Sequence, residues 1–250
     1  MISDQFLIDI ILKRAEIGDF SVFPFSLAAC RHLDRLRLHP KVTFFVGENG
    51  TGKSTLLEAI AVANGFNPEG GSKNFGFSTR ASHSTLHQYL RCSRGVKKPK
   101  GGYFLRAESF YNVATEIEAL DVDEPGALSP PKVIDSYGGK SLHEQSHGES
   151  FFALMTHRFK GNSLYILDEP EAALSPTRQL SMMHRMHELI EEGCQFLIAT
   201  HSPMLMAYPD AEIQTFGENG LERTAYKDTE HYRVMKRFIV DPESMLDKLL

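Results

Sequence analysis

The chain has 250 residues, is 42% hydrophobic and carries 27 basic against 32 acidic side chains, for a formal charge of −5. That is enough apolar mass for a single core, and an overall field that repels nucleic acid, so any such partner has to meet a local basic patch. The longest apolar runs, such as VTFFV and SLYIL, are strand-sized and well short of the roughly 20 residues a membrane-spanning helix needs.

Three scattered cysteines, Cys30, Cys92 and Cys194, give neither a disulfide framework nor a zinc spacing, and read as reduced thiols. The opening FLIDIIL carries Asp9 in its middle and has no basic flank or small-residue cleavage site. It does not read as an export signal, and a cytoplasmic location is expected.

In chain order, FLIDIILKR and SVFPF are expected to pair as an antiparallel layer beside the main sheet. VTFFV, SLYILD and QFLIAT are apolar runs bounded by turn residues, as in strands covered on both faces of a parallel sheet. Helices are expected between them: STLLEAIAVAN after the first, ESFFALMTHRF before the second, and TRQLSMMHRMHELIEEG before the third. The last carries an apolar face of Leu180, Met183, Met186 and Ile190. Two Gly-, Pro- and Ser-rich stretches, 67–84 and 121–141, read as loops. Alternating strands and helices predict an α/β fold.

The chemistry concentrates in three places. GENGTGKS, from Gly47 through Glu48, Asn49, Gly50, Thr51, Gly52 and Lys53 to Ser54, stands between a predicted strand and a predicted helix that continues with Thr55. That is the phosphate-binding loop pattern: glycines let backbone amides curl onto phosphate, Lys53 reaches the β- and γ-phosphates, and Ser54 offers a hydroxyl to magnesium. A bare glycine turn does not explain Lys-Ser at a helix start. LYILDEP then places Asp168 at a strand end, where it can hold magnesium through water, with Glu169 beside it to orient or deprotonate the attacking water. QFLIATHSP places His201 beyond a third strand, at the same sheet edge, where it can donate to the γ-phosphate or the water.

This order of strand, phosphate loop, Asp-Glu and His resembles the ATP-binding-cassette ATPases, and HEQSHGES strengthens the likeness. It matches the family's Leu-Ser-Gly-Gly-Gln signature at Ser146 and Gly148, and departs from it at Gln145, His147 and Glu149. In the family this segment opens a helix that grips the γ-phosphate of the opposite subunit, so the resemblance implies a head-to-tail homodimer. EAALSP is similar to the family's dimer-facing D-loop, with Ser175 where aspartate is common. Where the family has a glutamine on magnesium, YFLRAESFYN offers Glu108; a structural carboxylate paired with Arg106 or a loop amide is the other reading. The chain especially resembles compact stand-alone bacterial AAA-type ATPases with EQSHGES and DEPEAALSP. The resemblance implies a phosphate-loop NTPase of cassette type: a mainly parallel central sheet flanked by helices, an N-terminal antiparallel layer, and one domain over 1–250 with a helical, signature-bearing subregion at about 65–160.

The expected function is a soluble ATPase using ATP and Mg2+, with Lys53, Glu169 and His201 as catalytic groups. It would act with an unidentified protein partner in a DNA-repair-like, chromosome-maintenance-like or defence role. A transporter's nucleotide-binding subunit and an ATP-gated scaffold are the alternatives. RCSRGVKKPK, with Arg91, Arg94, Lys97, Lys98 and Lys100, can touch a nucleic-acid backbone but reads first as a solvated basic loop. Neither the His83/His87 nor the His184/His187 spacing completes a metal site. Phe23 and Phe25 are candidate adenine-stacking rings or, more ordinarily, buried strand residues.

Overall fold

The computed structural model describes residues 5–73, 84–106, 115, 134, 135, 139, 141 and 146–250, with His147 described in its backbone alone. Its strands in chain order are β1 (Leu7–Leu12), β2 (Arg35–Arg37), β3 (Val42–Val46), β4 (Leu90–Arg94), β5 (Gly101–Arg106), β6 (Ser163–Asp168), β7 (Gln195–Ala199), β8 (Glu212–Gly217) and β9 (Gly220–Arg223). The helices used below are α1 (Ala28–Arg31), α2 (Lys53–Ala63), α3 (His147–Ala153), α4 (Pro176–Glu191), α5 (Pro203–Met206), α6 (Glu230–Val240) and α7 (Pro242–Leu246).

The main sheet runs β5-β6-β7-β3-β8-β9, parallel from β5 to β8, with β9 folded back antiparallel at the edge. Every residue of β3, β6 and β7 is buried, as unalternating apolar runs require of strands covered on both faces. A second sheet, β2-β1-β4, is antiparallel.

Two cores follow from the period of two along each strand. On one face Phe44, Leu105, Tyr165, Leu167, Phe196 and Ile198 pack against α3 and α4. On the other Phe45, Phe104, Leu164, Ile166 and Leu197 meet Leu56, Leu57 and Ile60 of α2, which in turn lies against Leu7, Ile10 and Leu12 of the small sheet. Helix α2 is thus sandwiched between sheets, which is why residues all around it are buried and no polar face survives.

The antiparallel layer is present, but its partners differ from expectation. β1 pairs with β2 and β4, while Ser21–Phe25 forms turns. Phe25 is buried edge-on against Tyr89, and Phe23 is exposed. The buried face of α4 also differs: Met182, Met186, Leu189 and Ile190 are buried and Leu180 is 55% exposed. Pro176 starts the helix and Ser175 caps it by accepting the Arg178 amide; with the phase fixed there, Leu180 falls on the outer side. The helix expected over 149–159 begins at His147 and widens into a π turn over Leu154–Arg158. Of the first expected loop, Asn67–Lys73 is irregular apart from the bridge of Gly71 to Phe104; the rest, up to residue 83, and nearly all of 121–141 lie outside the described residues.

Candidate nucleotide site

Three strand ends create the site. Phe45 of β3 and Asp168 of β6 both stand in register with Ala199 of β7. The loop after β3, the acidic pair after β6 and the histidine after β7 therefore emerge side by side, at the carboxyl end of a parallel sheet, where such folds bind ligands.

The loop from Gly47 to Ser54 needs its glycines. Gly47, Gly50 and Gly52 have φ of 153°, 82° and 99°, conformations that side chains rarely adopt. At Gly47 a Cβ would also lie 2.8 Å from the Phe216 carbonyl. Lys53 opens α2, is buried, and donates to the carbonyls of Gly47 at 2.8 Å and Glu48 at 3.1 Å. Burial lowers its pKa against the pull of Glu169, Asp168, Glu48 and Glu171. An ammonium held this way lacks strong counter-ligands and can exchange two carbonyls for phosphate oxygens.

Ser54 donates its hydroxyl to Asp168 at 3.0 Å. These are two hard oxygen donors at one point, and no group of three or more His, Cys, Asp or Glu among the described residues could cage a metal alone. The pair fits magnesium, which favours few protein ligands and completes its shell with water and phosphate.

Glu169 takes a left-handed φ of 50° while its amide bonds the Ala199 carbonyl at 3.0 Å. A non-glycine residue there is strained, and the strain turns the carboxylate to within 3.5 Å of His201 Nε2. The His201 amide is anchored by Glu171 at 2.5 Å, and its Nδ1 meets His231 Nε2 at 3.2 Å. Burial lowers the His201 pKa, with Lys53 adding to the effect, which favours the neutral ring. Glu171, pushed up mainly by its own burial, and His231 on α6 were not singled out in the sequence. Glu171 had a signal in its place two residues beyond Glu169; His231, thirty positions from its partner, had none.

Ser146 caps α3: its hydroxyl donates to Glu149 Oε2 at 2.7 Å, and its amide bonds the same oxygen at 3.0 Å. Glu149, a departure from the family signature, is thereby the reciprocal half of a capping box. Gly148 is held close to the segment after Glu169, since a Cβ there would lie 2.8 Å from the Ala173 carbonyl; Arg178 also donates to the Gly148 carbonyl at 3.3 Å. Ser146 is exposed, and among the described residues neither it nor Gly148 is hydrogen-bonded to the Gly47–Ser54 loop of its own chain. Gln145 and Glu108 lie outside the described residues; Arg106, the suggested alternative partner of Glu108, is ion-paired with Glu58 at 2.6 Å. No helix among the described residues is long and apolar enough to cross a membrane.

Two family patterns cover most of this architecture: "AAA domain" matches residues 19–115, and "AAA domain, putative AbiEii toxin, Type IV TA system" matches residues 135–207. The chain is similar to the thiamine import ATP-binding protein ThiQ of Ruegeria, 29% identical over 63% of this chain and 69% of that protein. It is also similar to the cytochrome c biogenesis ATP-binding export protein CcmA of Legionella pneumophila, 27% identical over 66% and 82%. Its match to the plant transporter STR2 of Medicago truncatula, 24% identical over 65% of this chain, spans only 24% of that longer protein. Among solved structures, cbiO1 of Clostridium perfringens, part of an ABC transporter complex, superposes over 98% of this chain and 100% of its own with 16% identity and a TM-score of 0.47.

Proposed function

Because the chain belongs to the ATP-binding-cassette-type ATPases, we propose that two copies close head to tail on two Mg-ATP molecules, and that closing and reopening move a partner. The supporting observation is that the site is one-sided. Gly47–Ser54, Asp168, Glu169 and His201 converge at one sheet edge, while the exposed Ser146 cap faces none of them by any hydrogen bond among the described residues. A second copy would supply that helix start.

In this reading the loop amides and Lys53 hold the β- and γ-phosphates, with Thr55 on the first turn of α2. Ser54, and Asp168 through water, would hold magnesium, which when bound would supply charge to offset that of the phosphates. Glu169 orients the attacking water and accepts its proton, and His201 donates from Nε2 to the γ-phosphate. The opposing Ser146 and Gly148 complete the anion site, so rate comes from positioning and charge stabilisation. The whole of 1–250 acts as one ATPase domain, working on the cytoplasmic side.

The toxin–antitoxin wording of the second family pattern favours a defence role among those expected. A transporter's nucleotide-binding subunit is the second reading, supported by the names of ThiQ and CcmA; recovery of the chain with a membrane subunit would establish it. The first experiment is the solution mass of Glu169→Gln with and without Mg-ATP. An ATP-dependent dimer abolished by Ser146→Arg is the expected result; a variant that binds ATP and stays monomeric overturns the composite site.

A further inference from the structure

At the other end of the main sheet, where β5 and β6 begin, lies a cavity of about 420 Å3 lined in part by Ser72, Lys73, Lys100, Arg158 and Lys160. It is separated from Asp168 by the length of β6, on the order of 20 Å at about 3.3 Å per residue. It is a different place from the nucleotide site.

The cavity gathers lysine ammonium groups. Lys73, Lys100 and Lys160 form no ion pair among the described residues, nor do Lys97 and Lys98 on the adjoining loop. Lys73 is exposed, with its ammonium 5.0 Å from the Phe66 ring centroid and Arg94 as a repulsive neighbour. The Ser72 hydroxyl beside it is buried and has no hydrogen-bond partner. Lys97 lies alongside, next to Gly193, extending the positive surface out of the cavity. Glu192, packed on Gly161, brings an opposing charge to this side.

We propose that this cavity and the Lys97–Lys100 loop bind the phosphodiester backbone of a nucleic-acid strand. Phosphate suits the site because lysine ammonium groups and the Ser72 hydroxyl line it, and a strand suits it better than a compact anion because the cations continue beyond the cavity. Among the described residues the cavity offers no free ring for stacking: Tyr103 and Tyr165 are buried, and the Tyr165 hydroxyl is engaged with the backbone of Lys160. Recognition is therefore independent of sequence and sensitive to salt. This names the class of partner left open above, and rests on none of the nucleotide-site assignments.

The test is fluorescence polarisation of the whole chain with a labelled mixed-sequence duplex and its single strand, beside Lys100→Glu/Lys160→Glu and a control of equal charge, Lys227→Glu/Lys248→Glu. Wild type should bind a strand and lose about tenfold or more in affinity between 50 and 200 mM salt. The cavity variant should lose about tenfold more and lower the salt slope by about two, near 0.9 per phosphate contact, with unchanged basal ATPase; the control should bind as wild type. Absence of binding to either strand form at low salt, or equal weakening by both variants, overturns the proposal. So does a thermal shift with pyrophosphate that the cavity variant loses while no strand binds, since the ligand would then be a compact phosphate. If charge reversal prevents folding, Lys100→Gln/Lys160→Gln carries the same test. Wild type that binds the strand but hydrolyses no ATP would count against the nucleotide-site reading alone.

Discussion

His201 and His231 meet at 3.2 Å, Nδ1 to Nε2, and the opposite nitrogen of His201 lies 3.5 Å from Glu169. A neutral imidazole donates from one nitrogen and accepts at the other. When His231 donates to Nδ1, His201 must carry its proton on Nε2, the side that faces Glu169 and the proposed phosphate. His231 is thus a positioning residue that selects a tautomer. His231→Phe should lower kcat about tenfold with little change in KM for ATP, and His231→Gln, which keeps a donor, should recover part of the loss. Equal activity in all three proteins would remove His231 from the mechanism.

The lowered pKa of His201 gives a pH dependence with a definite sign. Burial first, then Lys53 and His231, disfavour the imidazolium, while Glu169 and Glu48 oppose them. The unfolded chain takes up this proton near the ordinary value of 6.5, before the folded chain does. As pH falls from there through the lowered native value, this site destabilises the fold, and stability rises with pH across that window. A denaturation series over the window should therefore show a smaller slope in His201→Asn than in wild type. An unchanged slope would mean that the ring is solvated rather than buried.

Gly148 has two reasons to be glycine, and they can be separated. The family likeness assigns it to the phosphate of an opposing subunit; the fold places it 2.8 Å, at the Cβ position, from the Ala173 carbonyl. A methyl group there forces backbone apart, at about 1–3 kcal/mol, so Gly148→Ala should melt about 2–10 °C lower without any nucleotide. A normal melting temperature with impaired ATP-driven dimerisation would leave only the phosphate role.

What was legible in the sequence is what local chemistry enforces. VTFFV, SLYILD and QFLIAT appear as β3, β6 and β7 because strands buried on both faces tolerate few polar residues, and the glycines at 47, 50 and 52 stand where the backbone takes φ values that side chains rarely adopt. SVFPF was misread because alternating apolar residues also suit a turn that buries one ring: Phe25 packs on Tyr89 and Phe23 faces solvent. The partners of β1 lie more than twenty residues away, in β2 and β4, and no spacing within the segment encodes them. His231 was invisible for the same reason, since its meaning comes from packing that brings α6 to a distant strand end.

The Ser54–Asp168 contact yields the last expectation. Ser54 donates at 3.0 Å to the carboxylate that ends β6, so the two oxygens would share one metal and should behave as one unit rather than as additive contributors. In the proposed reading ATP binding also rests on Lys53 and the loop amides, so chelating magnesium should weaken it modestly while abolishing hydrolysis. Ser54→Ala and Asp168→Asn should each reproduce the hydrolysis defect, and chelation should add little to either. Labelled-nucleotide binding and phosphate release, measured with and without EDTA on the three proteins, separate the cases: a further large loss of nucleotide binding on chelation in both variants would show that the metal is held by other groups, and the pair would then be a hydrogen bond bracing the start of α2 against β6.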